Sequence, residues 1–193
     1  MAGTKHPWYD IAEDGTILQG DILSSCSVYL PSIPDDADVM ILLDGQDLEV
    51  PLQIINTDLI IMSQSCDIEN DKTPLVMVCP VLALTSFVEM ARSEWQKENP
   101  EDQPTAKKLH GWVKNQIKQT HKGQIISQYL IPSITHRKIR AGFRFVDFGR
   151  TFSVMYPDLE RMALSQKRWL RIKPPYREHL SQAFGRFFMR VAL

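Results

Sequence analysis

The chain has 193 residues, of which 44% are hydrophobic and 23% charged, with a formal net charge of −1 at pH 7. These values are ordinary for a globular protein and exclude collagen-like, low-complexity and highly charged disordered chains. No apolar run reaches the roughly 18 residues that a membrane-spanning helix needs, and the N-terminus lacks an apolar signal region. The sequence therefore predicts a soluble, cytoplasmic protein with one domain over residues 1–193.

The small net charge conceals an uneven distribution. Residues 1–106 contain 4 Lys or Arg and 19 Asp or Glu, a net charge of −15, whereas residues 107–193 contain 18 and 4, a net charge of +14. Two interpretations follow. Either the two halves neutralise each other within one fold, or the basic half forms a surface for nucleic acid or for an acidic protein partner.

Short apolar runs bounded by polar segments predict strands between about residues 19 and 84. The first strand is predicted to follow Gly20. A hairpin comes next, with arms at 39–43 and 48–55 around a Gly-containing turn. Buried strands are then predicted at 59–62 and 75–81, separated by the polar segment Ser63-Gln64-Ser65-Cys66-Asp67.

Helical periodicity follows at 86–98, where Ser86 and Glu89 have capping-box spacing, and at 105–121. In the second of these helices three lysines fall on a face away from the apolar stripe: Lys107, Lys114 and Lys118. Strand character returns over about 125–155 with a turn at Gly149, and further helices are predicted at 158–170 and 175–192. The sequence thus predicts an α+β fold whose antiparallel sheet is partly barrel-like and carries three to four added helices.

Three short motifs resemble the PemK/MazF family of toxin endoribonucleases. They are Gly20-Asp21-Ile22, the strand 59–63 that ends in Ser63, and the strand 76–80 that ends in Cys79-Pro80. The resemblance covers about residues 19–84, under half of the chain. It implies an SH3-like barrel, and it places the protein in a bacterial toxin–antitoxin or phage-defence system.

The chain departs from the family at the positions that matter for chemistry. The family has an Arg-Pro pair before the strand that ends in Ser, and its Arg stabilises the phosphate during RNA cleavage; this chain has Thr57-Asp58 there. The Thr or Ser that the family places after the second strand's Pro is replaced by Val81-Leu82. An Asp would repel a phosphate, and electrostatic stabilisation is usually the largest catalytic contribution. We therefore expect the ribonuclease chemistry to be lost.

Cys66 and Asp67 are the weak catalytic candidates, because small polar residues at the end of a buried strand often line sites. A Cys nucleophile needs a nearby base, and the five histidines are scattered along the sequence. The structural alternative is a half-buried Cys66 with Asp67 capping a turn. No metal-ligand spacing or phosphate-binding glycine loop stands out, since the acidic loop at 35–38 is typical of a solvated segment, so we expect neither a metal nor a cofactor.

Basic residues alternate with aromatic ones between 137 and 152, which can indicate single-stranded nucleic-acid binding. Strand alternation instead predicts that Phe143 and Phe145 point into the core and that Arg144 faces solvent within a row of basic side chains. The candidate binding residues are therefore Lys107, Lys114, Lys118, Arg144, Arg150, Arg186 and Arg190.

We expect a non-catalytic, toxin-derived binding or regulatory protein that contacts a protein or nucleic-acid partner through its basic half. The alternative is an active enzyme, either a divergent ribonuclease or one that depends on Cys66.

Overall fold

The computed structural model describes residues 7–31, 52–70, 74–100, 104–136 and 138–189. In these residues strands and helices are mixed, which confirms the predicted α+β class. The strands are β1 Tyr9–Ala12, β2 Asp21–Pro31, β3 Leu52–Ile61, β4 Leu75–Ala83, β5 Gln128–Ile131, β6 Ile134–Thr135, β7 Arg140–Ala141, β8 Arg144–Asp147, β9 Phe152–Met155 and β10 Trp169–Ile172. The α-helices are α1 Ser65–Glu69, α2 Leu84–Glu98, α3 Ala106–His121, α4 Tyr156–Gln166 and α5 Tyr176–Phe188. None of these helices is long and apolar enough to cross a membrane.

The main sheet has the strand order β1-β10-β2-β3-β4-β8-β5, and β9 also pairs with β4. Every pairing among the described strands is antiparallel. β4 is covered on both edges, by β3 on one side and by β8 and β9 on the other, which suits its apolar sequence. Among the described residues the end strands β1 and β5 do not pair with each other, so the sheet is not closed into a barrel.

The central strands contain consecutive apolar residues, and successive side chains point to opposite faces of the sheet. Each face therefore has its own core. On one face Ile60 and Cys79 belong to a cluster that is covered by Leu180 of α5. On the opposite face Leu59 and Ile61 pack with residues of α4. The two helices therefore enclose the sheet from opposite sides.

A third contact joins α2 and α3 to the sheet. Phe87 of α2 stacks on Phe145 of β8 with ring centroids 4.4 Å apart, and it also contacts Trp112 of α3 at 5.5 Å. Leu109 on the apolar stripe of α3 is buried. The predicted amphipathic character of α3 is confirmed, and its lysines are left on the outer side.

Several predicted elements differ from the structure. The helix predicted at 158–170 ends at Gln166, because Lys167 takes up a left-handed conformation with φ of 59° and the chain continues as β10. β1 and β10 were not predicted. The capping box at Ser86 is also wrong, because α2 already begins at Leu84, after Ala83.

The predicted hairpin lies largely outside the described residues, and β3 runs unbroken to Ile61 where two strands were predicted. The last described helix ends at Phe188, so the final residues of the helix predicted at 175–192 also lie outside the described part.

Candidate anion-binding surfaces

Ion pairs join the basic second half of the chain to the acidic first half. Among the described residues, pairs that cross between the halves include Arg171–Asp21, Arg171–Asp14, Lys138–Glu13, Arg168–Glu13, Lys173–Asp10 and Arg144–Asp58. Internal neutralisation therefore accounts for a substantial part of the charge asymmetry. Most of these ion pairs lie on β1, on β10 and on the segments beside them, where the two halves of the chain meet.

Arg171 and Asp21 form the most deeply buried of these pairs. Arg171 Nε donates to Asp21 Oδ1 at 2.6 Å, and Nη2 donates to Oδ2 at 2.9 Å, in a two-pronged arrangement. The Asp21 side chain is 0% exposed and also accepts from the Leu18 backbone N–H. The Asp21 carboxylate raises the pKa of Arg171. Asp21 of the Gly20-Asp21-Ile22 motif thus fastens β10 to β2.

Arg144 does not face solvent as predicted but is buried, with 5% of its surface exposed. Phe143, which was predicted to point inward, is instead 45% exposed. The physical reason is that β8 begins at Arg144, whose side chain shares a face with buried Val146 two residues later. Ala83 lies opposite in the register, and its small side chain leaves room above β4.

Arg144 reaches over β4 to Asp58 on β3, where Nη1 lies 3.6 Å from Asp58 Oδ2. Asp58 Oδ1 accepts a hydrogen bond of 2.9 Å from the Ser25 backbone N–H. Asp58 is therefore not the isolated negative charge that the sequence suggested. A guanidinium from a distant part of the chain lies beside Asp58.

Tyr9 lies next to Arg144 on this face of the sheet. Its hydroxyl donates to the Pro132 carbonyl at 2.6 Å. Burial raises the pKa of Tyr9 to about 12, although the neighbouring Arg144 guanidinium lowers it in part. The hydroxyl therefore stays protonated at neutral pH and contributes a neutral dipole beside the guanidinium.

The exposed side of α3 carries a second group of cations. Lys107, Lys114 and Lys118 are exposed, and none of them forms an ion pair with a carboxylate of the described residues. We call these three residues the α3 lysine face. On an α-helix they fall within about 40° of one another, since successive residues advance by about 100°. The structure thus brings these predicted residues together.

The remaining candidate binding residues are dispersed. Arg150 is half exposed and its Nε lies 3.2 Å from Asp147 Oδ2. Arg186 is exposed on α5. Arg190 lies outside the described residues. Arg150 and Arg186 thus lie on elements other than the one that carries the α3 lysine face.

Cys66 is exposed and not half-buried as the structural alternative assumed. Its Sγ donates weakly to Gln64 Oε1 at 3.6 Å and to Asp67 Oδ1 at 3.8 Å. The Asp67 backbone N–H donates to the Gln64 carbonyl within the turn that opens α1. No histidine of the described residues hydrogen-bonds to the thiol, so the general base that a Cys nucleophile requires is not in place here.

Sequence reasoning missed Arg171, Asp21 and the pairing of Arg144 with Asp58. The alternation of Trp169-Leu170-Arg171-Ile172 was a strand signal, but it followed a helical pattern without a Gly or Pro between them. Nothing local indicated which carboxylate would meet which arginine, since the partners are separated by more than 80 residues.

The described residues contain no group of three or more His, Cys, Asp or Glu side chains that could hold a metal ion. Comparisons of the chain with family models, with curated proteins and with solved structures found no match.

Proposed function

We propose that this chain is a non-catalytic binding protein that contacts the phosphate backbone of a nucleic acid through the α3 lysine face. One observation carries the proposal. Many basic residues of the second half are paired with carboxylates of the first half, whereas Lys107, Lys114 and Lys118 project together from α3 without such a partner among the described residues.

The dimensions of the face suit a polyanion. Lys107 and Lys118 are 11 residues apart, which corresponds to about 16 Å along a helix. On duplex DNA one strand carries a phosphate about every 3.4 Å, so a face of this length passes about five phosphates. Exposed Lys122, directly after α3, extends the same positive region. An acidic protein surface is the competing partner, and salt dependence separates it from nucleic acid.

We further propose that the fold derives from the SH3-like barrel of PemK/MazF-like proteins. The three matching motifs fall on β2, β3 and β4, which are consecutive neighbours in one antiparallel sheet. By the resemblance, Thr57-Asp58 replaces the family's Arg-Pro pair and Val81-Leu82 replaces its Thr or Ser, and Asp58 pairs with Val81 in the register of β3 and β4. These departures support a barrel-derived protein without the toxins' chemistry, and the resemblance favours a bacterial toxin–antitoxin or phage-defence system as its context.

The test is charge reversal on the α3 lysine face. We expect the Lys114→Glu/Lys118→Glu variant to bind labelled single-stranded RNA and duplex DNA at least tenfold more weakly than the unsubstituted protein. Lys167→Glu is the matched control, because Lys167 is exposed and lies after α4. If about three phosphates are contacted, the affinity of the unsubstituted protein should fall about 20- to 40-fold between 50 and 200 mM salt.

Two results would contradict the proposal. If nucleic-acid binding is insensitive both to salt and to the Lys114→Glu/Lys118→Glu substitutions, the contact lies on another surface or the natural partner is a protein. Cleavage of the RNA by the unsubstituted protein would show that the chain is an enzyme.

A further inference from the structure

The guanidinium of Arg144 contrasts with that of Arg171. In Arg171, Nε and Nη2 together hold the two oxygens of Asp21. In Arg144 the same two atoms, Nε and Nη2, are buried and have no hydrogen-bond partner among the described residues. A buried donor without an acceptor costs about 1–3 kcal/mol, and more when the group is charged. These two donors therefore lack an acceptor among the described residues, and an external acceptor would satisfy them.

The charge of Arg144 is also only partly balanced. Its nearest carboxylate, Asp58, lies 3.6 Å from Nη1, which is longer than a charge-assisted hydrogen bond. Asp58 is in addition committed to the Ser25 backbone N–H at 2.9 Å. The neighbouring Tyr9 hydroxyl is kept protonated by burial. The surroundings of the guanidinium therefore favour a further negative group.

Arg144 lines a pocket of about 590 Å³, which is within the size range of small-molecule sites. The pocket combines hydroxyl-bearing residues, a second cation, apolar side chains and the carboxylate of Asp58; the others used here are Ser133, Thr85, Arg140, Ile139 and Leu170. Such a lining suits a molecule with an anionic head and a partly apolar body. Arg140 is exposed at the rim, so it can attract an anion before Arg144 binds it.

We propose that Arg144 and this pocket form a binding site for a small organic oxyanion, a carboxylate or a phosphate monoester, which supplies the acceptor that Nε and Nη2 lack. This site goes beyond nucleic-acid binding by the α3 lysine face. The Arg144 pocket and the α3 lysine face share no residue, so an experiment can disprove one proposal without affecting the other.

The experiment is a titration of the ¹⁵N-labelled full chain with benzoate, with phenyl phosphate and with neutral benzyl alcohol. The Arg144 Nε–H resonance, assigned by its loss in Arg144→Lys, reports the contact directly. We expect saturable shifts with benzoate or phenyl phosphate and none with benzyl alcohol. The anion that binds more tightly identifies the head group.

Variants then test the charge argument. Asp58→Asn preserves the acceptor for the Ser25 N–H but removes the competing charge, so the anion should bind about tenfold more tightly. Asp58→Asn/Arg144→Gln removes the guanidinium without leaving a carboxylate uncompensated, and it should abolish binding. Arg92→Gln, on an exposed part of α2, is the control and should bind as the unsubstituted protein does.

The proposal is overturned if neither anion moves the Arg144 Nε–H resonance at millimolar concentration. It is equally overturned if the folded double variant binds as well as the Arg92→Gln control. Should the double variant not fold, the titration of Arg144 in the unsubstituted protein and in Asp58→Asn still decides the question.

Discussion

Arg171 on β10 and Asp21 on β2 are joined by two parallel hydrogen bonds of 2.6 and 2.9 Å, although they are 150 residues apart in the chain. The pair lies where β10 enters the sheet between β1 and β2. It therefore joins β10 to β2, the first of the central strands. Its stability contribution depends on both partners being present, because a lone buried charge is far more costly than a pair.

We expect Asp21→Asn to lower the free energy of unfolding by about 3–5 kcal/mol, because it removes the buried carboxylate that accepts from Nε and Nη2 and leaves Arg171 only the exposed carboxylate of Asp14. Urea denaturation at pH 7 measures the change. The matched control is Asp158→Asn, which removes a surface ion pair with Arg161 and should cost less than about 1 kcal/mol. Equal losses in the two variants would mean that the Asp21 pair is not the anchor described here.

The exposure of neighbouring aromatic residues gives a second prediction. Phe145 is 1% exposed and stacks on Phe87, so Phe145→Ala should lower the free energy of unfolding by about 3–5 kcal/mol. Phe143→Ala, at a 45% exposed position, should cost less than about 1 kcal/mol. Thermal and urea unfolding of the two variants compare them directly. A larger loss for Phe143→Ala would show that β8 has the opposite register.

The three thiols should differ sharply in reactivity. Burial raises the pKa of Cys26 to about 11 and that of Cys79 to about 12, whereas Cys66 is exposed. We expect iodoacetamide at pH 7.5 to modify Cys66 in the folded protein and to reach Cys26 and Cys79 only on unfolding. Peptide mass spectrometry identifies the modified sites. Cys66→Ser should change the free energy of unfolding by less than about 0.5 kcal/mol. Modification of Cys79 as fast as Cys66 would contradict the buried position of β4.

Alkaline pH should destabilise the fold. The unfolded chain begins to release its thiol protons near pH 9, whereas the folded chain retains those of Cys26 and Cys79 until about pH 11 and 12. Burial raises the pKa of Tyr9 from 10.0 to about 12 in the same direction. Because the folded state binds more protons in this window, stability falls as pH rises through it and is unaffected at pH 7. Urea midpoints at pH 7, 9 and 10.5 measure the trend, and Cys79→Ala should flatten it. A midpoint that is constant up to pH 10.5 would show that these groups are solvated.

Local sequence determined the helices and the central strands. Leu109 and Trp112 recur at helical spacing in α3, and the uninterrupted apolar residues at 59–62 and 75–81 are typical of buried strands. The first half of β4 departs from this prediction, since Leu75 and Met77 are exposed. The same periodicity placed Lys107, Lys114 and Lys118 on one outer face. Such features follow from side-chain pattern alone, because each is fixed by residues within a few turns or strand positions of one another.

Only the tertiary structure decided where the outer strands pair and which charges meet. β10 is four residues long, and it becomes a strand because β1 and β2 supply hydrogen-bonding partners on its two edges. The local alternation of residues predicts that Arg144 faces solvent. In the structure it faces inward, where it lies opposite the small Ala83 and pairs with the distant Asp58. Such pairings depend on groups brought together from opposite ends of the chain, and no local pattern encodes which carboxylate a given arginine will meet.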